Sequence, residues 1–456
     1  MDQRLTLGTK VRYGLADLGI ALITSAMQFF LLFYYTDVAG INPALAGVAL
    51  MVGKLTWDAI NDPLFGYLSD RTRSRFGRRR IWMLIGAVPL GLAAWIMFSL
   101  PHGLTGAPAF LAVLGSFWLL DTFHTMTSTP YYALTPELTR DYSERGSLTS
   151  IRMVFSVVGY ILGAALTTML AGIFHGAGLA LPQAWSATGA VFGAVAILTT
   201  LITTLSVRER PELAGEPSRL PAFKAMRTCF KNRPFVILMI AMFLSSFSFT
   251  VLTALVPYFI QYQLGMGDQV SFVLLVMLLT IGIFLIPAKM VSDRINKGPA
   301  YALGLFIASV AIITTFFFPT GPTPLIYVVA AVAGLGFSSQ WVFPWSMLPD
   351  VIEYDEKMTG ERREGVYYGL WAFLSKFTSA LGVAVSGWAL QLFGYVPNVE
   401  QTARALFGIR LFYSVVPAVV ILISLPFLIW YPITRKSHGE LVRELAGRSA
   451  SAGQSA

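Results

Sequence analysis

Asp58 and Asp62 stand four residues apart in Trp57-Asp58-Ala59-Ile60-Asn61-Asp62-Pro63, inside a stretch from about residue 43 to 68 that is otherwise almost wholly apolar. In a helix that spacing is about one turn, so both carboxylates share a face. An acid at the centre of a membrane-crossing helix costs roughly 2.5–3.5 kcal/mol on insertion scales. Two on one face demand a partner: a basic side chain, a proton or a metal cation.

The composition says what kind of element must position this pair. Of 456 residues, 55% are hydrophobic and 12% charged, and the mean hydropathy is +0.65. A soluble chain of this length carries about twice that charge fraction. Apolar runs long enough to cross a bilayer, about 20 residues each, recur throughout. The chain therefore reads as an all-α polytopic membrane protein, which excludes a soluble enzyme and a nucleic-acid binder despite the net charge of +9. Cys229 is the only cysteine, so neither an internal disulfide nor a cysteine-based metal site is expected. No nucleophile–base pair or metal motif appears, so no enzyme activity is expected, and no cofactor beyond a coupling ion. The first apolar run, from Tyr13 to Tyr35, is too long for a signal peptide and reads as a first span.

Twelve spans are predicted. The first six cover about 13–36, 43–68, 80–100, 108–136, 149–172 and 184–206. The second six cover about 234–261, 269–291, 298–318, 324–348, 365–394 and 406–431. The expected division is an N-terminal six-helix bundle over 1–207, a polar cytoplasmic linker over 208–233, a C-terminal six-helix bundle over 234–434 and a cytoplasmic tail over 435–456. All Lys and Arg residues except Lys54, Lys376, Arg404 and Arg410 fall at the N-terminus, in the even-to-odd loops or in the tail. By the positive-inside rule both termini face the cytoplasm, in a cell (inner) membrane. The basic run Arg71 to Arg80 also suits anionic lipid headgroups.

The two halves repeat. Ser69-Asp70-Arg71 follows the second span and Ser292-Asp293-Arg294 the eighth; Pro136-Glu137 ends the fourth and Pro349-Asp350 the tenth. Two parallel six-helix copies are what a two-halves transporter predicts. Asp70, Arg71, Asp293 and Arg294 are then candidate gating residues, with Asp70 expected to cap or pair across the cytoplasmic ends of neighbouring helices.

These Asp-Arg loops resemble those of the major facilitator superfamily. Within it, Trp57-Asp58-Ala59-Ile60-Asn61-Asp62-Pro63, Ser69-Asp70-Arg71-Thr72-Arg73-Ser74-Arg75-Phe76-Gly77 and Gly394-Tyr395-Val396-Pro397-Asn398-Val399-Glu400-Gln401 resemble the glycoside–pentoside–hexuronide:cation symporters nearly end to end. The resemblance implies two pseudo-symmetric six-helix bundles and symport of a small-molecule substrate, a sugar or glycoside, with sodium or a proton. It implies a cation site of Asp58, Asn61, Asp62 and Thr125, with sodium, if not a proton, held chiefly by Asp58 and Asp62. Lys376 matches a lysine near that site, Arg152 an arginine of the fifth span and Trp341 a sugar-pocket tryptophan. The acids that hold sugar hydroxyls in melibiose-transporting members correspond to Ala21 and Ser128 here, the pocket tryptophan to Tyr132, and a fourth-span tyrosine to His124. The cation side is thus retained and the sugar side rebuilt, with Arg152, Trp341, Ser128, Tyr132, His124 and Lys376 as candidate substrate contacts.

Other readings compete at several of these positions. Lys54, one turn before Asp58, and Lys376 could ion-pair with the acids; as coupling residues they would balance them when the cation leaves. Arg152 can fork two donors onto hydroxyls, carboxylate, sulfonate or phosphate, or snorkel to the cytoplasmic surface. Asp121 and His124 lie three apart and could pair with each other. Losing two pocket acids while keeping Arg152 and Lys376 makes the cavity more positive, which predicts an anionic sugar such as a uronide or a sulfonated sugar. Tyr131, Trp345 and Trp371 are further stacking candidates. The rivals are a lysophospholipid or other amphiphile transporter of a related branch, and a non-transporting membrane assembly factor. A monomer is expected.

Overall fold

A computed structural model describes residues 5–139, 142–207, 209, 229–359, 363–441 and 443–444. Most of the expected linker and the end of the tail lie outside the described residues. Twelve helices are long and apolar enough to cross a membrane: α1 (Leu7–Val38), α2 (Pro43–Arg71), α3 (Arg80–Met97), α4 (Gly106–Leu138), α5 (Tyr142–Gly176), α6 (Leu181–Ser206), α7 (Arg233–Gln263), α8 (Val270–Ile295), α9 (Lys297–Thr314), α10 (Leu325–Thr359), α11 (Glu364–Leu392) and α12 (Ala403–Ile429). All twelve predicted spans are present. In a bilayer each helix satisfies its own backbone. Serines and threonines inside the helices bond back to carbonyls one turn earlier, as Thr167 does to Gly163 and Thr204 to Thr200.

The sequence places the end of the tenth span at Pro349-Asp350, but α10 runs on to Thr359. A proline costs a helix one donor and crowds the preceding turn. Here the charged residues past it are anchored: Asp350 pairs with Lys297 at 2.6 Å, and Asp355 takes a forked pair of bonds from Arg363. Among the described residues, three π-helical turns were not legible in the sequence. They are Tyr34–Val38 at the end of α1, Phe259–Gln263 at the end of α7 and Leu411–Val415 within α12.

Contacts group the chain into two units. The first holds α1–α6 with Thr253–Leu275 and Val383–Ile409. The second holds α7 up to Leu252, Val276–Gly382 and the chain from Arg410. Within the first unit, α1 lies tightly on α5. A Cβ on Gly159 would sit 2.2 Å from the Leu18 carbonyl oxygen, so only glycine permits this approach. A core of Tyr13, Ala16, Ile20, Met83, Tyr131 and Leu134 ties α1, α3 and α4 together.

Candidate functional site

The α2–α4 seam carries the predicted cation residues. Gly53 lies against the Phe117 ring, where a Cβ would meet it at 2.6 Å. One turn on, Trp57 Nε1 donates to Thr122 Oγ1 at 2.7 Å. One further turn, Asn61 Nδ2 donates to Asp121 Oδ2 at 2.5 Å. Thr125, one turn after Asp121 on α4, is buried. Asn61 is fully buried, and its carbonyl oxygen has no hydrogen-bond partner. Asp58 and Asp62 are half-buried on the same helix. Among the described residues no three His, Cys, Asp or Glu side chains converge to hold a metal by themselves. A cation here would therefore draw on amide and hydroxyl oxygens as well as carboxylates. Lys54 lines a cavity of about 80 Å³ with Thr24, Gln28, Ala254 and Val383. Gln28 closes one wall by donating to Thr253 at 3.0 Å.

A second cluster joins α1, α4 and α5. Arg152 does not snorkel. Its guanidinium lies 4.8 Å from the centroid of the Tyr132 ring, and its Nε is 3.8 Å from Asp17 Oδ2. Tyr132 donates to the other Asp17 oxygen at 3.1 Å. Asp17 is buried, with 3% of its side chain exposed, and sequence reasoning missed it. The acid count behind the expected positive cavity changes accordingly: Ala21 and Ser128 lack acids, but Asp17, one turn before Ala21, stands beside Arg152. The buried Arg152 Nε still has no hydrogen-bond acceptor. His124 lies 3.4 Å from Thr24, and Ser128 is buried on α4. Asp121 meets Asn61 of α2, a partner that the pairing proposed with His124 did not foresee.

Two of the aromatic candidates are packing residues. Tyr131 is fully buried against Tyr13, each hydroxyl donating to the other's backbone carbonyl. Trp371 is buried beneath the exposed Trp345. Trp341 on α10 and Lys376 on α11 are half-buried and belong to the second unit.

The gating candidates divide. Asp70 accepts from Arg79 at 2.8 Å, and Arg79 also donates to Glu137 at the end of α4 at 2.5 Å. Arg78 joins the same Glu137 oxygen, which holds its guanidinium more firmly protonated than usual. Arg71 lies instead over the Tyr67 ring, 4.0 Å from its centroid. The backbone N–H groups of Arg78, Arg79 and Arg80, at the start of α3, converge on the Glu209 carboxylate. In the second unit the pair matching Arg79–Glu137 is Lys297–Asp350, joined by His438 at 3.6 Å. Asp293 pairs only loosely with Lys289 on its own helix, at 3.7 Å, and Arg294 is exposed. The repeat is thus carried by the α3–α4 and α9–α10 ion pairs more than by the Asp-Arg dipeptides.

At the far end of α1, the π-helical turn buries Asp37, 3% exposed. Tyr262 of α7 and Tyr395 of the α11–α12 loop both donate to its Oδ1, the latter at 2.5 Å, and Thr36 donates to Oδ2 at 2.6 Å. Tyr258 meets Thr36 at 2.6 Å, and Asn398 Nδ2 donates to the Asp37 carbonyl at 2.6 Å. Burial, then the Asp37 carboxylate, push the Tyr395 hydroxyl far above the usual range, so it remains a donor.

Among the described residues, twelve helices long and apolar enough to cross a membrane, with charge buried on the α2–α4 seam and where α1, α4 and α5 meet, fit a membrane transporter. Residues 12–435 match the MFS/sugar transport protein family, and the chain belongs to it. It is 31% identical to an uncharacterized symporter, sll1374, of Synechocystis sp., over 98% of each chain. It is 27% identical to a glucuronide carrier protein homolog of Escherichia coli, over 98% of this chain and 97% of that one. It is 26% identical to the sodium-dependent lysophosphatidylcholine symporter 1 of Gallus gallus, over 99% and 92%. Two solved structures share the major facilitator fold at 14% identity. One is a bacterial homologue of the lysosomal transporter Spinster in an inward-facing, unoccupied conformation (TM-score 0.70, covering 93% of this chain and 95% of that one). The other is the nucleoside transporter NupG (TM-score 0.67, 94% and 100%).

Proposed function

We propose that this symporter, acting as a transporter and not an enzyme, carries a sugar or glycoside with a sodium ion or proton held by Asp58, Asn61, Asp62 and Thr125. The observation that carries the reading is the Asn61 carbonyl oxygen, fully buried and without a hydrogen-bond partner, on the helix that bears both acids. A buried acceptor left unsatisfied is costly. A cation taking oxygens from Asp58, Asp62 and Thr125 with it answers that cost and the charge of the acids together. Lys54 and Lys376 supply positive charge when the cation leaves. Asp17, Arg152 and Tyr132 offer an acceptor, donors and a ring face to the substrate, with Trp341, Ser128 and His124 as further contacts. Arg152, with a donor to spare, accepts a uronate or sulfonate as readily as a hydroxyl. The basic loops and both termini lie on the cytoplasmic side of a cell membrane, and the chain works as a monomer.

The second reading is a lysophospholipid carrier, favoured by the full-length similarity to the lysophosphatidylcholine symporter. A thermal-shift screen of the purified chain separates the two, using neutral sugars, uronides, sulfonated sugars and lysolipids, each with and without sodium. Sodium-enhanced stabilisation by a sugar supports the first reading; stabilisation by lysolipids alone overturns it. In membranes, Asp62→Cys should insert normally yet lose cation-stimulated binding and concentrative uptake. Full sodium- or proton-driven accumulation in that variant would refute the cation assignment.

A further inference from the structure

We propose that Asp121 is a positioning residue for cation binding: it pins the Asn61 amide through its nitrogen and so reserves the Asn61 carbonyl oxygen for the coupling ion. The inference rests on the cation reading above and adds a residue outside the expected ligand set. An asparagine amide can turn over, exchanging its donor and acceptor ends. An ionised carboxylate only accepts, so it selects the NH2 end and holds it with a charge-assisted bond. The 2.5 Å contact from Asn61 Nδ2 to Asp121 Oδ2 has that character. Both groups are enclosed, Asn61 at 0% and Asp121 at 8% exposure, so water does not compete for the amide.

The consequence appears on the other end of the amide. With its nitrogen engaged, Asn61 presents a buried oxygen with nothing to accept from. Such an oxygen is a poor structural contact and a good ligand for a hard monovalent ion. Asp121 sits one turn before Thr125 on α4, as Asp58 sits one turn before Asp62 on α2. The Trp57–Thr122 bond fixes the two helices in this register. Asp121 therefore acts through Asn61, with Thr125 and the α2 acids supplying the remaining oxygens.

The test is a cation titration of the purified full chain, followed by thermal shift with sodium, with lithium and across pH, for wild type, Asp121→Ala, Asp121→Asn and Asn61→Ala. Asp121→Ala frees the amide to turn and should raise the half-saturating cation concentration about tenfold or more. In Asp121→Asn the side-chain carbonyl can still accept from Asn61, but its NH2 can also pair with the Asn61 oxygen, so affinity should fall between wild type and Asp121→Ala. Adding Asp121→Asn to Asn61→Ala should then change nothing further, a comparison that holds even if Asp121→Ala does not fold. A wild-type response that Asp121→Ala leaves unmoved overturns the inference. So does equal loss in Asp121→Ala and Asp121→Asn, which would mean that the charge acts directly. A wild type that responds to neither sodium, lithium nor protons overturns the cation reading itself.

Discussion

Arg152 and Asp17 show what one residue changes. Alone, the arginine reads as a mark of an anion site; the structure sets it beside a buried acid and against a tyrosine ring, with its Nε still without an acceptor. Asp17→Asn removes the acid and keeps the shape. The variant should bind uronides and sulfonated sugars more tightly relative to neutral glycosides, by about tenfold if the lost interaction is worth about 1.4 kcal/mol. Competition binding of matched anionic and neutral ligands measures that ratio. Asp17 was not legible because it lies only a few residues inside the first span, after Lys10 and Arg12, where an acid passes for boundary charge. Its role follows from the close packing of α1 on α5, which no residue type announces. Asp58 and Asp62 were legible because two acids in an apolar run have no bland place to go. Cys229 gives a simpler test. It is buried outside the spans, and desolvation raises its thiol pKa. The reactive thiolate therefore needs a higher pH than in a free cysteine. Maleimide labelling of the folded chain near pH 7 should be slow, and should accelerate on raising the pH or on unfolding.

Among the elements, the π-helical turns matter most. A π turn widens the helix by one residue and often marks a functional position. Those of α1 and α7 contain Thr36 and Asp37 on one side and Tyr262 on the other, and Tyr395 completes the cluster from the loop before α12. Asp37 is held by hydroxyl donors alone: among the described residues no basic group pairs with it. If this cluster opens, the carboxylate returns to water, which offsets much of what the hydroxyls supply. Tyr395→Phe removes one charge-assisted bond, worth about 1.5–3 kcal/mol, and should raise the population open at this end tenfold or more. The measurement is the maleimide labelling rate of Thr24→Cys in a Cys229→Ser background, added from the side of Asp37. The number, order and approximate limits of the helices were legible because a bilayer enforces length and hydropathy. The π turns were not, since they add one residue without changing composition. Nor was the extension of α10 past Pro349, because a proline reads as a stop until the ion pairs of Asp350 and Asp355 are seen.

For the whole molecule, symport is a thermodynamic link between two sites. If the cation raises substrate affinity by some factor, the substrate must raise cation affinity by the same factor. The expected cation ligands all lie in the first unit, while Trp341 and Lys376 lie in the second. The link cannot therefore rest on the α2–α4 seam alone if the second unit contributes to substrate binding. Each unit also carries its own ion pair at the matching helix ends, Arg79–Glu137 and Lys297–Asp350. This yields a quantitative expectation. Titrating a stabilising sugar at low and saturating sodium gives one ratio of dissociation constants; titrating sodium at low and saturating sugar gives the other. The two ratios should agree, at about 5- to 150-fold for a coupling of about 1–3 kcal/mol. Asp62→Asn should bring both to one, whatever affinity for the sugar remains. Lys376→Ala leaves the α2–α4 ligands intact and should lower both ratios together. If it lowers only sugar affinity and leaves the ratio untouched, Lys376 contacts the substrate and has no part in the coupling.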